Sequence, residues 1–354
     1  MKLGLGLYRH MLTAANYAFA RQCSATHIVA HLTDYFAKTP RLPGQNSSGW
    51  GTTTCDRDVW SRKGLGKLKS EINAAGLELA AIENFDPGHW YDVLLGGPDR
   101  NEQLVFLKDV IRNMGAVGIP VMGYNFSIAG VAGWSEGPFA RGGAVSVGFV
   151  EEDALGLDPI PNGMIWNMVY DQDATEGTVP PVSHEQIWVN LQTFHAALLP
   201  VAEEAGVRLA AHPDDPPMPT MRGHARLVWQ PRFYDQMFEQ NPSPANCAEL
   251  CIGSLAEMTE GNIYADVDRW SRENRIGYVH LRNVRGQVPR YHEVFIDEGD
   301  VDISRILMIL HKNGFEGTVI PDHTPQVSCD APWHAGMAYA LGYIRAEINR
   351  LRSG

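Results

Sequence analysis

Eight short apolar runs recur along this chain, and stretches with helical spacing of apolar residues separate most of them. Such an alternation of strand-like and helical segments is typical of parallel α/β folds. Eight units in a chain of 354 residues predict a single (β/α)8 barrel domain spanning residues 1–354. The alternative is an open, doubly wound sheet, although no GxGxxG turn follows the first run. The predicted strands are 2–8, 26–32, 77–83, 119–126, 207–212, 246–253, 277–282 and 317–323.

Two of the predicted helices carry start and stop signals. Ser183 and Gln186 form a capping box in front of an apolar stripe, and Gly206 follows the end of that stripe. Asp302 stands at the N-cap position of a second stripe, which stops at Gly314. Both helices fall between predicted strands, as the barrel requires.

One long stretch, residues 127–182, breaks the regular alternation. It is rich in Gly and Pro and shows little helical periodicity. A connection of this length in a compact domain is usually functional or disordered. We interpret it as an insertion after the fourth strand that lies over the barrel mouth, with a disordered surface excursion as the alternative.

The charge and hydropathy patterns limit the classes of partner. The formal net charge is −12 and no basic cluster stands out, which argues against a nucleic-acid partner. No run of about 18 apolar residues exists, so no membrane partner is expected. The predicted partner is therefore a small molecule, and a homo-oligomer is left open.

The cysteines indicate a reducing compartment. The chain has five of them, an odd number, and none forms a CxxC pair. A disulfide framework is not expected from this pattern. The sequence therefore predicts a cytoplasmic protein.

Polar residues stand at or next to the ends of seven of the eight predicted strands. The carboxyl ends of barrel strands converge on one face, where such enzymes carry out their chemistry. His212 is followed by the stiff, acidic segment "PDDPP", which is unsuited to helix or sheet. We expect these side chains to meet in one site. They are His31, Glu83, Asn125, His212, Cys251, His280 and Asp322.

Four of these residues come from four consecutive predicted strands and could bind a metal. Two imidazoles (His212 and His280), a thiolate and a carboxylate (Asp322) suit a divalent ion of intermediate softness, such as Mn, Fe, Co or Zn. The thiolate could come from Cys251 or from Cys247, four residues earlier. The register of the sixth strand decides between them.

Several uncommon motifs resemble those of the mannonate dehydratase family. They are "VAEEAGVRLAAHPDDPPMP", "YNF", "CIGS", "HLR", "HEVFIDEGDVDI" and "PDH", and they run in the family's order from about Glu83 onward. The family comprises metal-dependent (β/α)8-barrel enzymes that dehydrate D-mannonate to 2-keto-3-deoxy-D-gluconate, commonly with Mn²⁺. The resemblance implies one divalent ion per chain, with Mn²⁺ expected and Fe²⁺, Co²⁺ or Zn²⁺ as alternatives.

The resemblance also implies particular roles for residues of this chain. It assigns the metal ligands to His212, Cys251, His280 and Asp322, and so favours Cys251 over Cys247. It implies that His323 takes part in proton transfer. A second catalytic group is a tyrosine of the C-terminal segment, for which Tyr339 is the candidate and Tyr343 the alternative.

Two departures from the family pattern affect the expected specificity. Met218 stands where the family usually has Arg after the paired prolines, and "PDHTP" replaces the more common PDHGH. The ligand set is complete despite these changes. The motifs therefore indicate the metal ligands more directly than they indicate which sugar acid is the substrate.

Other polar residues are candidates for contact with a sugar acid. A guanidinium group suits a substrate carboxylate, and imidazole, amide and carboxyl groups suit hydroxyls. Asp214 and Asp215 are candidate supports for the ligands. A metal-dependent isomerase or epimerase and a non-catalytic sugar-acid sensor are the alternative functions. The candidate substrate contacts are Glu83, His89, Asn125, Arg226, Arg282 and His292.

Overall fold

A computed structural model of the chain describes residues 1–37 and 50–353. Eight parallel strands close into a barrel in which β1 pairs with both β8 and β2, and each other strand pairs with its neighbours in the chain. The predicted (β/α)8 barrel is confirmed, and each predicted run corresponds to one barrel strand, although β7 begins at Ile276, one residue before its predicted run. The strands are β1 (Lys2–Leu7), β2 (His27–His31), β3 (Glu78–Glu83), β4 (Val121–Tyr124), β5 (Arg208–Ala211), β6 (Asn246–Cys251), β7 (Ile276–Leu281) and β8 (Thr318–Pro321).

Helices surround the barrel and cover its apolar outer face. The described residues form α1 (Ala14–Gln22), α2 (Arg62–Ala74), α3 (Tyr91–Leu95), α4 (Arg100–Val117), α5 (Glu151–Ala154), α6 (His184–Ala205), α7 (Pro231–Gln240), α8 (Ile252–Glu257), α9 (Ile263–Arg272), α10 (Ile303–Lys312) and α11 (Pro332–Ser353). Short 3₁₀ turns lie at Arg9–Met11, Asp58–Trp60, Pro87–His89 and Arg141–Gly143. No helix of the described part of the chain is long and apolar enough to cross a membrane.

The start residues predicted for two helices are found at the beginnings of α6 and α10. The hydroxyl of Ser183 accepts from the backbone N–H of Gln186, and Gly206 ends α6 in the left-handed region, with φ 67°. The side chain of Gln186 donates to Asn190 instead of returning to Ser183, so only half of the capping box forms. Asp302 accepts from the backbone N–H of residue 305 and begins α10.

The barrel interior follows the two-residue alternation of a strand. In β6, Cys247, Glu249 and Cys251 are all buried and stand at every second position. Cys247 belongs to a barrel-interior cluster with Tyr278, whereas Cys251 pairs in register with His280 at the carboxyl end of β7. The register therefore puts Cys251 at the end of the barrel where strand-end residues meet, and Cys247 two layers below it.

The stretch 127–182 contains strands that its irregular sequence did not predict. Trp134–Ala140 and Ala144–Val150 form a hairpin, and the second of these strands pairs with Arg290–Val294, which pairs in turn with Asn283–Gln287. Ala140 is the one buried residue of Trp134–Ala140, so the apolar alternation that identifies a strand is weak. Further short strands are Gly51–Thr52, Met164–Ile165, Met168–Val169, Thr220–Met221 and His224–Ala225.

The outer face of β4 contains a buried polar pair that gives a pH-dependent stability. The hydroxyl of Tyr124 lies 2.8 Å from Nε2 of His195 in α6, and both residues are fully buried. Burial lowers the pKa of His195 from its ordinary 6.5 to about 3. In the folded protein this imidazole is therefore neutral across the physiological range.

We expect the free energy of unfolding to decrease as the pH decreases, partly because of His195. Below a pH of about 6.5 the unfolded chain takes up a proton at this residue, and the folded chain does not until about pH 3. In this window His195 lowers stability by about 1.4 kcal/mol for each unit of pH decrease. His195→Gln lacks this loss, so urea denaturation at several pH values should show the two proteins converging as pH falls. A constant difference between them would contradict the expectation.

Candidate active site

A cavity of about 680 Å³ opens at the carboxyl ends of the barrel strands. Aromatic side chains, including Tyr8, Tyr35, Trp134 and Trp166, form much of its wall. A concave, largely apolar pocket with a few convergent polar groups is the usual form of a small-molecule site. The polar groups that line it include His31, Glu83, Asn125, His212, His280, Asp322 and His323.

The structure brings the four predicted metal ligands together. One ligating atom from each of His212, Cys251 and His280 lies within 4.8 Å of the others. The carboxylate of Asp322 lies 3.7 Å from Sγ of Cys251 and 3.8 Å from Nδ1 of His280. Their strands, β5 to β8, are neighbours around the barrel, which is why residues far apart in sequence meet here.

The chemistry of this donor set fits a divalent ion. The Nδ1–H of His212 donates to the carbonyl of Pro213 at 2.6 Å, which leaves the lone pair on Nε2 available. Burial raises the pKa of the Cys251 thiol, but the charge of Arg282 and hydrogen bonds from His212 and His280 bring it down to about 5. The thiolate is the form of cysteine that binds metals.

A second buried group lies beneath the first and shares His280 with it. Ligating atoms of Glu83, Glu249 and His280 lie within 4.8 Å of one another. Burial and the charge of Glu83 raise the pKa of Glu249 to about 8. Burial acts in the same direction on Glu83, but the imidazoles of His31 and His280 hold its pKa at about 2. The sequence analysis did not identify Glu249, although a charged residue inside the strand-like run "NCAELCIG" was a usable signal.

His323 has a carboxylate partner that the sequence analysis also missed. Its Nδ1–H donates to Glu293, whose two oxygens lie 3.1 and 3.2 Å away. Burial lowers the pKa of His323, but the carboxylates of Asp322 and Glu293 raise it to about 9. Glu293 belongs to the strand Arg290–Val294, where the sequence analysis had selected its neighbour His292.

Arg282 is enclosed by carboxylates and does not line the cavity. It is 1% exposed, and its guanidinium lies 3.0 Å from Glu257 and 3.2 Å from Asp322. It also pairs with Asp215 and Glu293. A guanidinium with these partners has no free edge for a substrate, in contrast to its predicted role. Its charge instead stabilises the acidic side chains behind the ligand set.

Arg226 is likewise buried and paired. Its Nε lies 2.9 Å from the carboxylate of Asp214, and its other nitrogens donate to backbone carbonyls of Gly130 and Asp215. These contacts join the HPDDPP segment to the residues after β4. Arg226 therefore stabilises the loop around His212 and, as placed, does not reach the cavity.

Three further predicted site residues lie away from the cavity wall. His89 is buried with its ring centre 4.5 Å from that of Phe106. His292 stacks on Phe139, in the sheet formed with the stretch 127–182. Tyr339 is 42% exposed and its hydroxyl accepts from Arg141, because it lies on the solvent side of α11.

The closed barrel and its strand-end cavity define a (β/α)8-barrel enzyme with a candidate metal centre. The D-mannonate dehydratase (UxuA) family model matches residues 51–152 and 155–348. A mannonate dehydratase of Streptococcus pneumoniae (strain 70585) is 31% identical over 299 residues, which cover 80% of this chain and 79% of that protein. The chain belongs to the mannonate dehydratase family, and it is therefore an enzyme of the hydro-lyase class. The resemblance identified from the sequence motifs is confirmed.

Solved structures agree with this assignment. The crystal structure of mannonate dehydratase from Streptococcus suis serotype 2 is similar with a TM-score of 0.77 and 25% identity, over 99% of this chain and 95% of that one. A xylose isomerase domain protein from Planctomyces limnophilus has a TM-score of 0.60 and 13% identity, over 100% and 99% of the two chains. The second likeness shows the fold alone.

Proposed function

We propose that this protein dehydrates D-mannonate to 2-keto-3-deoxy-D-gluconate in the cytoplasm, in a reaction that depends on one divalent metal ion. The observation that carries the proposal is the meeting of His212, Cys251, His280 and Asp322 beside His323 at the mouth of one barrel. The stretch 127–182 contributes Trp134 to the same cavity, which supports its role as a cover over a single barrel domain.

The four ligands would hold the ion at the carboxyl ends of β5 to β8. The donor set suits a divalent ion of intermediate softness, and Mn²⁺ is the expected one because the family that the motifs resemble commonly uses it. A bound divalent ion would polarise the substrate carboxylate and stabilise the negative charge that develops beside it. None of the described residues that line the cavity is Arg or Lys. The negative charge of a sugar acid therefore needs this ion and the neighbouring imidazoles as its counter-charge.

His323 is the group that we assign to proton transfer. Dehydration removes the proton at C2 and expels the hydroxyl at C3, so it requires a positioned acid or base. Because Glu293 holds Nδ1–H of His323, Nε2 is the nitrogen left to exchange a proton with the substrate. The half-buried ring lies edge-on against Trp134, which restricts its rotation. Asn125 lines the cavity and is a candidate contact for a substrate hydroxyl.

The test is a screen of the Mn²⁺-loaded protein against a panel of aldonic acids and aldoses in D₂O. Proton NMR should show a 2-keto-3-deoxy acid with one solvent-derived deuterium at C3, formed from D-mannonate. The variant His323→Asn should retain its metal and lose about 100-fold in turnover, the scale of a missing general acid or base. Conversion of an aldose to its ketose with inert aldonates would replace the dehydratase by an isomerase. Binding of a sugar acid without turnover would indicate a sensor.

A further inference from the structure

We propose that Glu249 is a positioning residue that holds the imidazole of His280 in the tautomer required for metal binding, together with Glu83. The inference deepens the proposed function, because it rests on a metal centre that includes His280. Glu249 does not line the cavity, so it cannot act on the substrate directly. It acts through the histidine that lies between it and the other ligands.

The two ring nitrogens of His280 face different groups. Nδ1 lies 3.8 Å from Asp322, on the side of the ligand set. Nε2 lies 3.3 Å from a carboxyl oxygen of Glu83 and 3.3 Å from one of Glu249. The ring therefore separates a group of metal donors from a pair of carboxyl groups.

The position of the proton on the ring follows from this arrangement. A neutral imidazole has one N–H and one nitrogen with a free lone pair. A proton on Nε2 can be donated to carboxyl oxygens of Glu83 and Glu249, whereas a bare Nε2 would be repelled by the negative charge of Glu83. The lone pair is then on Nδ1, which faces Asp322. Carboxyl groups behind ligating histidines commonly fix the tautomer and orientation in this way.

Besides His280, the carboxyl group of Glu249 has the uncharged hydroxyl of Tyr278 as a polar neighbour. The residue is fully buried, and its contact with Nε2 of His280 is its one ion pair among residues 1–37 and 50–353. Burial of a carboxyl group in a barrel interior costs several kcal/mol unless a partner offsets it. Gly123 in β4 makes the space, since a Cβ there would collide with Glu249. The barrel interior thus accommodates this carboxyl group beside His280.

Glu249 is a more specific probe of this arrangement than Glu83. Glu83 also lies 3.5 Å from Nε2 of His31, so it serves two imidazoles, and it lines the cavity. For Glu249, His280 is the single ion-pair partner among the described residues. A change at Glu249 therefore alters the environment of His280 and leaves the cavity wall intact.

The alternative is a second ion bound by Glu83, Glu249 and His280, whose ligating atoms are close enough for one. A second ion would need the lone pair of Nε2, and the proton on the ring would have to leave altogether for both nitrogens to bind metals. The positioning role requires no such loss. Metal stoichiometry distinguishes the two arrangements.

The experiment compares Mn²⁺ binding to the purified protein and to Glu249→Leu and Glu249→Gln by calorimetric titration, without substrate. Removing the acceptor in Glu249→Leu should weaken binding about 10- to 100-fold, the usual effect of losing such a partner. Glu249→Gln should restore most of the affinity, because its amide oxygen still accepts from Nε2–H. The visible spectrum of the Co²⁺-loaded protein should change in Glu249→Leu and return toward the parent in Glu249→Gln.

The matched control is Cys247→Ala, which alters the same strand one layer lower in the barrel interior. It should bind Mn²⁺ with the parent affinity. If Glu249→Leu does not fold, Glu249→Ala removes the same oxygens without new bulk and supports the same measurement. Parent-like affinity in these variants would overturn the positioning role.

Other outcomes separate this inference from the proposed function. Two ions per parent chain and one per Glu249→Leu chain would overturn positioning in favour of a second metal site. A parent protein that binds no ion would overturn both proposals. A parent protein that binds Mn²⁺, loses affinity in Glu249→Leu and leaves every aldonate unchanged would overturn the dehydratase alone.

Discussion

Replacement of His212 by alanine is expected to remove nearly all bound metal from the purified protein and, with it, the dehydratase activity. The imidazole is one of three groups whose ligating atoms lie within 4.8 Å of one another, and its Nδ1–H is already donated to Pro213. Asp322→Ala should have the same effect, since its carboxylate lies 3.7 Å from Cys251 and 3.8 Å from His280. Elemental analysis of Mn²⁺-loaded protein measures both losses directly.

An exposed histidine provides the control for this measurement. His184 lies at the start of α6, away from the cavity, and His184→Ala should retain one ion per chain. Circular dichroism should show that all three variants keep the barrel. Stoichiometric metal in both His212→Ala and Asp322→Ala would contradict the assigned ligand set.

Replacement of Arg282 by methionine is expected to lower the free energy of unfolding by about 3–5 kcal/mol, the usual effect of removing one partner from a buried charge cluster. The substitution keeps most of the side-chain volume and removes the positive charge from a fully buried position. Four acidic side chains would then lack their counter-charge. They are Asp215, Glu257, Glu293 and Asp322.

The matched control for Arg282 is an arginine three residues further along the chain. Arg285 pairs with Glu298 at 3.1 Å, but its side chain is 53% exposed. Arg285→Met should cost no more than about 1 kcal/mol, because exposed ion pairs contribute little. Urea denaturation of the metal-free proteins compares the two variants. An equal loss of free energy of unfolding in Arg282→Met and Arg285→Met would show that enclosure among carboxylates does not increase the contribution of Arg282 to stability.

The barrel and the meeting of the four candidate ligands could be predicted because both depend on local patterns. Each strand has its own apolar run, and a polar residue at its end projects to a face fixed by the fold. The choice between Cys247 and Cys251 needed the register, which pairs Cys251 with His280. The family motifs gave the same choice, because they follow the strand ends.

The groups behind the ligands could not be predicted in the same way. Glu293 reaches His323 from a hairpin that pairs with Ala144–Val150, and no local pattern reveals a pairing across so many residues. Arg282 stood at a strand end and had the chemistry of a substrate contact. Its enclosure depends on carboxylates from several separate segments, which only the folded structure brings together.

The division of the site between two sheets has a consequence for how this protein can be altered. The four candidate ligands belong to the barrel strands or to the residues that directly follow them, whereas Glu293 belongs to the added antiparallel sheet that also contains Trp134. We therefore expect ion affinity to depend mainly on the barrel strands, and turnover to depend also on the added sheet, through the contact of Glu293 with His323. Substitutions in the added sheet are then expected to alter the rate of proton transfer more than they alter ion affinity.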